Sequence, residues 1–162
     1  MGQQQLLLLV LGIVIVGLAV VVGINAFGEN QKRANADALV NDGLRIASDI
    51  QAWALKPAQF GGAGGWDSAN VDAEDNFFRD VLGYQGVNGD GDVNNVNGTI
   101  AVEGTGGDSG VQITATNGNQ DNLVYVTVCG VRSGDIETAI DFNAVDGSPS
   151  GNVTQPVCGS SS

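Results

Sequence analysis

From Met1 to Gly28 no side chain carries a charge, and between Leu6 and Phe27 only Asn25 is strongly polar. About 20 consecutive apolar residues are enough to span a bilayer as a helix. A helix that is apolar on every side has to be covered by lipid or by other helices. This segment therefore restricts the remainder of the chain to a water-facing domain carried behind it.

The remainder has the composition of such a domain. The chain holds 18 Asp and Glu against 6 Lys and Arg, with no His, for a formal charge of −12. That balance argues against nucleic acid as a ligand, because phosphate binding relies on Lys and Arg. It equally disfavours a basic patch docked on anionic lipid. The 25 Gly predict many turns, and 162 residues leave room for one domain beyond the apolar segment. Cys129 and Cys158 both lie in that domain. Behind an N-terminal apolar segment an exported domain with a disulfide is expected, the alternative being two free thiols in a cytosolic protein. Two Cys and no His argue against a structural zinc site, which takes four Cys or His ligands.

A secretory signal opens with basic residues and ends at a small-residue cleavage site. The opening Met1 to Gln5 has no Lys or Arg, and the apolar run is longer than a typical signal core. In an ordinary anchor, Lys32 and Arg33 would hold the downstream side in the cytoplasm, which conflicts with an exported, disulfide-bearing head. The conflict points to orienting basic residues removed ahead of Met1.

No Pro interrupts Gly2 to Lys56. Beyond Arg33 the pattern becomes amphipathic: Leu39, Gly43, Ile46, Ile50 and Trp53 recur in steps of four and three, with Val40, Leu44 and Ala47 alongside. Pro57 biases Lys56 away from helix. The spacing predicts one helix of about 50 residues, roughly 80 Å long. Its half at 1–28 is apolar all round, and the half opening the domain at 29–162 has one face for a sheet. Residues 57–97 are expected as a connection. Within it lie a flexible turn at Gly61 to Gly65 and a short helix, Ala73 to Val81, N-capped by Asp72 and packed through Phe77, Phe78 and Val81. From Thr99 the period becomes two. Ile100 and Val102, then Val111, Ile113 and Ala115, then Val124, Val126 and Val128 define an antiparallel meander of three strands. The Val face of the last strand is expected against the helix stripe. Cys129 is then on the opposite face, under the C-terminal segment. Asp135 to Ile140 reads as a helical turn, and Gly147 to Ser162 as an irregular tail.

These parts together resemble a type IV pilin or pilin-like subunit: GQQQLLLLVLGIVIVGLAVVV running without Pro into an amphipathic helix, then a loop, a meander and a late Cys pair. The stretch IDFNAVDGSPSGNV is also similar to an acidic C-terminal pattern of some pilin-like proteins. The resemblance implies an α+β fold, with a long N-terminal helix packed on a small antiparallel sheet. It further implies cleavage by a prepilin peptidase, methylation of the new N-terminus at Met1, and export by inner-membrane assembly machinery into a homopolymeric surface filament. In that family a similar Cys pair pins a C-terminal loop to the sheet, the role expected of Cys129 and Cys158. The sequence departs from the pattern at position five, where pilins commonly carry Glu and this chain has Gln5. The family's Pro near position 22 is also absent. A Gln can accept a hydrogen bond from the Met1 ammonium but cannot neutralise it, so Gln3, Gln4 and Gln5 are the expected polar network for assembly.

Asn88, Asp90, Asp92 and Asn94 alternate as the first oxygen ligands of a calcium loop do. The match is incomplete, with Val93 and Thr99 where the EF-hand pattern has Gly and Glu, and a plain turn-rich loop is the alternative. Asn97-Gly98-Thr99 and Asn152-Val153-Thr154 are formal N-glycosylation sequons, and Ser160 to Ser162 is a candidate for O-glycans. Catalysis has little support: the sequence lacks His, a nucleophile elbow and a phosphate loop. The expectation is a structural, non-enzymatic filament subunit, the alternatives being a secretion-system pseudopilin and a membrane-anchored binding module.

Overall fold

The computed structural model describes residues 2–66, 77–104, 110–119, 121–145, 147–151 and 153–159. It has an α+β fold: helix α1, Gly2–Leu55, is followed by a five-stranded antiparallel sheet. The strands are β1 (Val93–Asn94), β2 (Thr99–Gly104), β3 (Val111–Asn117), β4 (Asn122–Val128) and β5 (Ile136–Asp141), in spatial order β1-β2-β3-β4-β5. By contacts the chain divides into residues 1–34 and residues 35–162.

In the second unit, residues 35–55 of α1 lie on the sheet. Ala36, Leu39, Gly43, Ile46, Ala47, Ile50 and Ala54 are the buried helix positions. They follow the expected stripe, while Trp53 is half-buried and meets the Phe77 ring edge-on with centroids 5.4 Å apart. Opposite them lie Ile100, Val102, Val111, Ile113, Ala115, Val124, Val126 and Val128 in one continuous apolar core. The Val face of β4 does pack on the helix stripe. At Gly43 the two layers approach closely: a Cβ there would sit 2.8 Å from a Val126 methyl, inside normal contact.

Helix α1 ends just ahead of Pro57, which lacks a backbone N–H and disfavours helix at Lys56; Pro57 itself takes φ −58° and ψ 144°. The last carbonyls of α1 are then capped by the turn that follows, with Ala63 N donating to Trp53 O (3.2 Å) and Gly64 N to Lys56 O (3.0 Å). The Gly-rich segment expected as a flexible turn is thus a closed cap. Gly61 and Gly64 take φ of 80° and 76°, values that favour Gly.

Two expectations for local structure need correcting. Asp135 to Ile140 is not a helical turn: only Ser133–Asp135 is helical, as one 3-10 turn, and Ile136–Asp141 is strand β5. Pairing of Val128 with Ile136 and of Val124 with Ile140 places both Ile side chains on the core face. The meander therefore has five strands rather than three, because Val93–Asn94 also pairs with the start of β2. Asp72 and Ala73 of the expected short helix lie outside the described residues. Phe77–Val81 is one π-helical turn with Phe77 and Phe78 buried, whereas Val81 is exposed.

Candidate functional site

Residues 6–27 of α1 form the most conspicuous feature of the first unit. From Leu6 (65% exposed) to Phe27 (74%), every large apolar side chain of the segment is exposed. At 3.6 residues per turn these positions occupy the whole circumference rather than one stripe. By length and composition the helix is able to cross a membrane, and none of its most apolar window is buried by the chain's own fold. Such a continuous apolar surface drives association with lipid or protein. The first turn holds no acidic residue, so nothing anionic offsets the partial positive charge of the helix start. Gln3, Gln4 and Gln5 are exposed within the helix. Being consecutive, they point about 100° apart and ring more than half the axis instead of forming one patch. Met1 lies outside the described residues.

On the outer face of the sheet, away from α1, Cys129 and Cys158 are joined as a disulfide with Cα atoms 5.3 Å apart. The tail before Cys158 is held to β4 by two further hydrogen bonds. Thr127 Oγ1 donates to Pro156 O (3.1 Å), and Gln155 Nε2 donates to the Tyr125 hydroxyl oxygen (3.2 Å). Leu123, Tyr125 and Ala144 form a second small apolar cluster on that face. The disulfide expected of Cys129 and Cys158 is formed, and it ties the tail to the end of β4. Beside the tail, a groove of about 570 Å³ is lined by Glu137, Ala139, Gln155 and Val157 among others.

A buried carboxylate that the sequence did not mark organises the turn before the tail. Asp141 is 2% exposed. Its Oδ2 accepts from Ser150 N and Ser150 Oγ, both at 2.7 Å, and its Oδ1 accepts from Asn143 N at 2.9 Å. The Ser150 hydroxyl bond, helped by the two backbone amides and opposed by burial, holds its pKa below the ordinary carboxylate value. A lowered folded-state pKa contributes stability that is present above the unfolded value of about 3.9 and is lost as pH falls through the folded one. Asp141→Asn is therefore expected to lower the unfolding temperature of the full chain in neutral detergent at pH 7. The gap to the parent should narrow below about pH 4. Unfolding followed by circular dichroism across pH checks this, and a gap independent of pH removes the assignment.

Asn88, Asp90 and Asp92 lie at the tip of a small hairpin closed by a Val87–Val93 bridge. Asn88 Oδ1 accepts from the backbone amides of Asp90 (3.0 Å) and Asp92 (2.8 Å), and Asn94 Oδ1 accepts from Thr99 Oγ1 (2.6 Å). Asn88 Nδ2 also donates to Asp92 Oδ2 (3.5 Å), so three of the four calcium-like side chains already have an oxygen engaged within the loop. Burial raises the Asp92 pKa, countered by the Asn88 amide and reinforced by the charge of Asp90. Among the described residues no group of three His, Cys, Asp or Glu is placed to hold a metal ion.

Asn97 is half-buried, and its Nδ2, the atom an N-glycan would occupy, donates to Asp42 Oδ2 at 2.7 Å. Asn95 Nδ2 donates to the same oxygen at 2.8 Å. The Asn97 carbonyl accepts from Asn35 Nδ2 (2.9 Å) and Asn117 Nδ2 (2.6 Å), so this sequon belongs to an amide clasp between helix and sheet. Asn152 and Ser160 to Ser162 lie outside the described residues. A second carboxylate held by a neutral donor is Asp49, whose Oδ2 accepts from the Tyr84 hydroxyl (2.6 Å). Burial first, and then that carboxylate, push the Tyr84 pKa up to about 12, so the phenol stays protonated at neutral pH.

No protein-family model matches the chain, and no curated protein or solved structure matches it.

Proposed function

We propose that this chain is the structural subunit of an extracellular, type IV pilus-like filament. In this reading it is held in the inner membrane before assembly and polymerises with identical copies through the apolar half of α1. The observation that carries the proposal is the all-round exposure of Leu6 to Phe27 on a helix that continues, without a Pro, into the sheet-packing stripe. One apolar surface serves two environments: lipid first, then neighbouring helices. A repeated head-to-tail contact between identical subunits that does not close into a ring generates a helical fibre. A prepilin peptidase and the inner-membrane assembly machinery are the partners this reading brings. The acidic head forms the fibre surface, from which adhesion or motility follows as a downstream use.

Electron microscopy of sheared surface fibres, with mass spectrometry of the N-terminal peptide, tests the proposal. The expected result is fibres built from this chain with methylated Met1 at the mature end. Short periplasmic fibres, with exoprotein secretion lost on deletion, would instead give the pseudopilin reading. A monomer confined to the membrane, retaining ligand binding without residues 1–28, overturns assembly altogether.

A further inference from the structure

Charge is divided unevenly between the two units. Residues 1–34 hold Lys32 and Arg33 against Glu29, whereas residues 35–162 hold four bases against 17 acids, a balance of −13. Many acidic domains offset such a balance internally, with Lys and Arg laid across their carboxylates. Here, among the described residues, half-buried and buried carboxylates are held by neutral donors. Asp42 takes the amides of Asn95 and Asn97, Asp49 the Tyr84 hydroxyl, Asp135 the Arg132 backbone N–H at 3.0 Å, and Asp141 the Ser150 and Asn143 groups. Neutral donors satisfy the oxygens but leave the full negative charge in place. Of the four bases, Arg45 lies over the Tyr84 ring, 5.9 Å from its centroid, and Arg79 contacts Asp80, its neighbour in sequence. Asp37, Asp90, Glu103 and Glu137 are exposed around the head.

From this distribution we infer that screening by dissolved ions stabilises the folded head, and that close packing of one head against another copy depends on ionic strength. The part concerning copies rests on the filament reading; the part concerning the folded head does not. Self-repulsion destabilises a compact acidic domain. The Debye length falls from about 30 Å at 0.01 M salt to about 3 Å at 1 M. At the low end a head senses its own far side and its neighbours, and at the high end only charges in near contact.

The test measures two quantities on the full chain in neutral detergent, from about 0.01 M to about 1 M sodium chloride: the unfolding temperature, and the fibre yield after detergent removal. The unfolding temperature is expected to rise by about 5 °C or more, a shift that a modest change in stability produces in a domain of this size. Fibre yield is expected to rise over the same range. In a variant with Asp37→Asn, Asp90→Asn, Glu103→Gln and Glu137→Gln, both dependences should flatten by at least about half, because four of the head's surplus negative charges are gone. A flat unfolding temperature in the parent, or an unchanged slope in the variant, overturns the inference even when fibres form. A salt-dependent unfolding temperature with no fibres at any salt concentration upholds the screening of the head and instead counts against the filament reading.

Discussion

Val16→Asp is expected to abolish fibres. Val16 lies near the middle of the apolar run and is 63% exposed in the isolated chain. A carboxylate at the centre of a membrane helix costs about 2.5–3.5 kcal/mol on insertion scales. In a dry bundle of helices an unpaired charge costs several kcal/mol for each copy. In the proposed filament every subunit would carry the lesion, so the cost would recur at every contact along the polymer. Sheared-fibre yield, scored by electron microscopy and immunoblot, should fall to background, with the chain depleted from the membrane fraction. Val16→Leu, which keeps the surface apolar, should leave yield unchanged. Val96→Asp is the informative contrast. Val96 is fully exposed in the turn between β1 and β2, and a charge there alters no apolar contact of the described fold. Equal yields from Val16→Asp and Val96→Asp would remove the apolar half of α1 from any role in assembly.

The features legible in the sequence were those with local periodicity. An unbroken helical pattern ending at Pro57, the Leu39 to Ile50 stripe and the alternation of Val in β4 each needed only neighbours a few residues away. Strand β5 was missed because Glu137 and Ala139 favour helix locally. Its strand state comes from pairing along the open edge of β4, and the alternation of Ile136, Thr138 and Ile140 was the signal available. Strand β1 offers a single buried side chain, Val93, inside a run of Asn, Asp and Gly, too little for any pattern. The polar contacts that fix helix to sheet were out of reach for a different reason. Asn122 to Asn35 and Asn97 to Asp42 link residues 87 and 55 positions apart, and nothing in composition singles out those Asn from others. Asp141 was likewise one acid among 18 until the fold buried it against Ser150.

Loss of the cystine should produce the largest change in the stability of the head, and Gly110 shows why the cystine and the sheet act together. The two Cys are 29 positions apart, for which the chain-entropy model gives about 3–4 kcal/mol of stabilisation. The tail it anchors contributes no helix or strand within its described residues, so few other terms replace the constraint. Cys129→Ser with Cys158→Ser should lower unfolding free energy by about that amount in urea titrations of the full chain under non-reducing conditions. A loss under about 1 kcal/mol would mean that Thr127, Tyr125 and the outer apolar cluster hold the tail unaided. Gly110 precedes β3 with φ 78°, and a Cβ there would collide with both Cys158 Sγ and the Val128 carbonyl oxygen. Gly110→Ala therefore carries a left-handed backbone cost of about 1–2 kcal/mol, plus two collisions. Without the disulfide, the collision with sulfur is relieved because the tail can move, while the backbone cost and the carbonyl collision remain. Gly110→Ala should thus cost less in the double-Ser chain than in the parent. That non-additivity, measured as a double-mutant cycle, reports how tightly the cystine presses the tail onto the start of β3. Equal costs in the two backgrounds would assign the Gly requirement to the backbone alone.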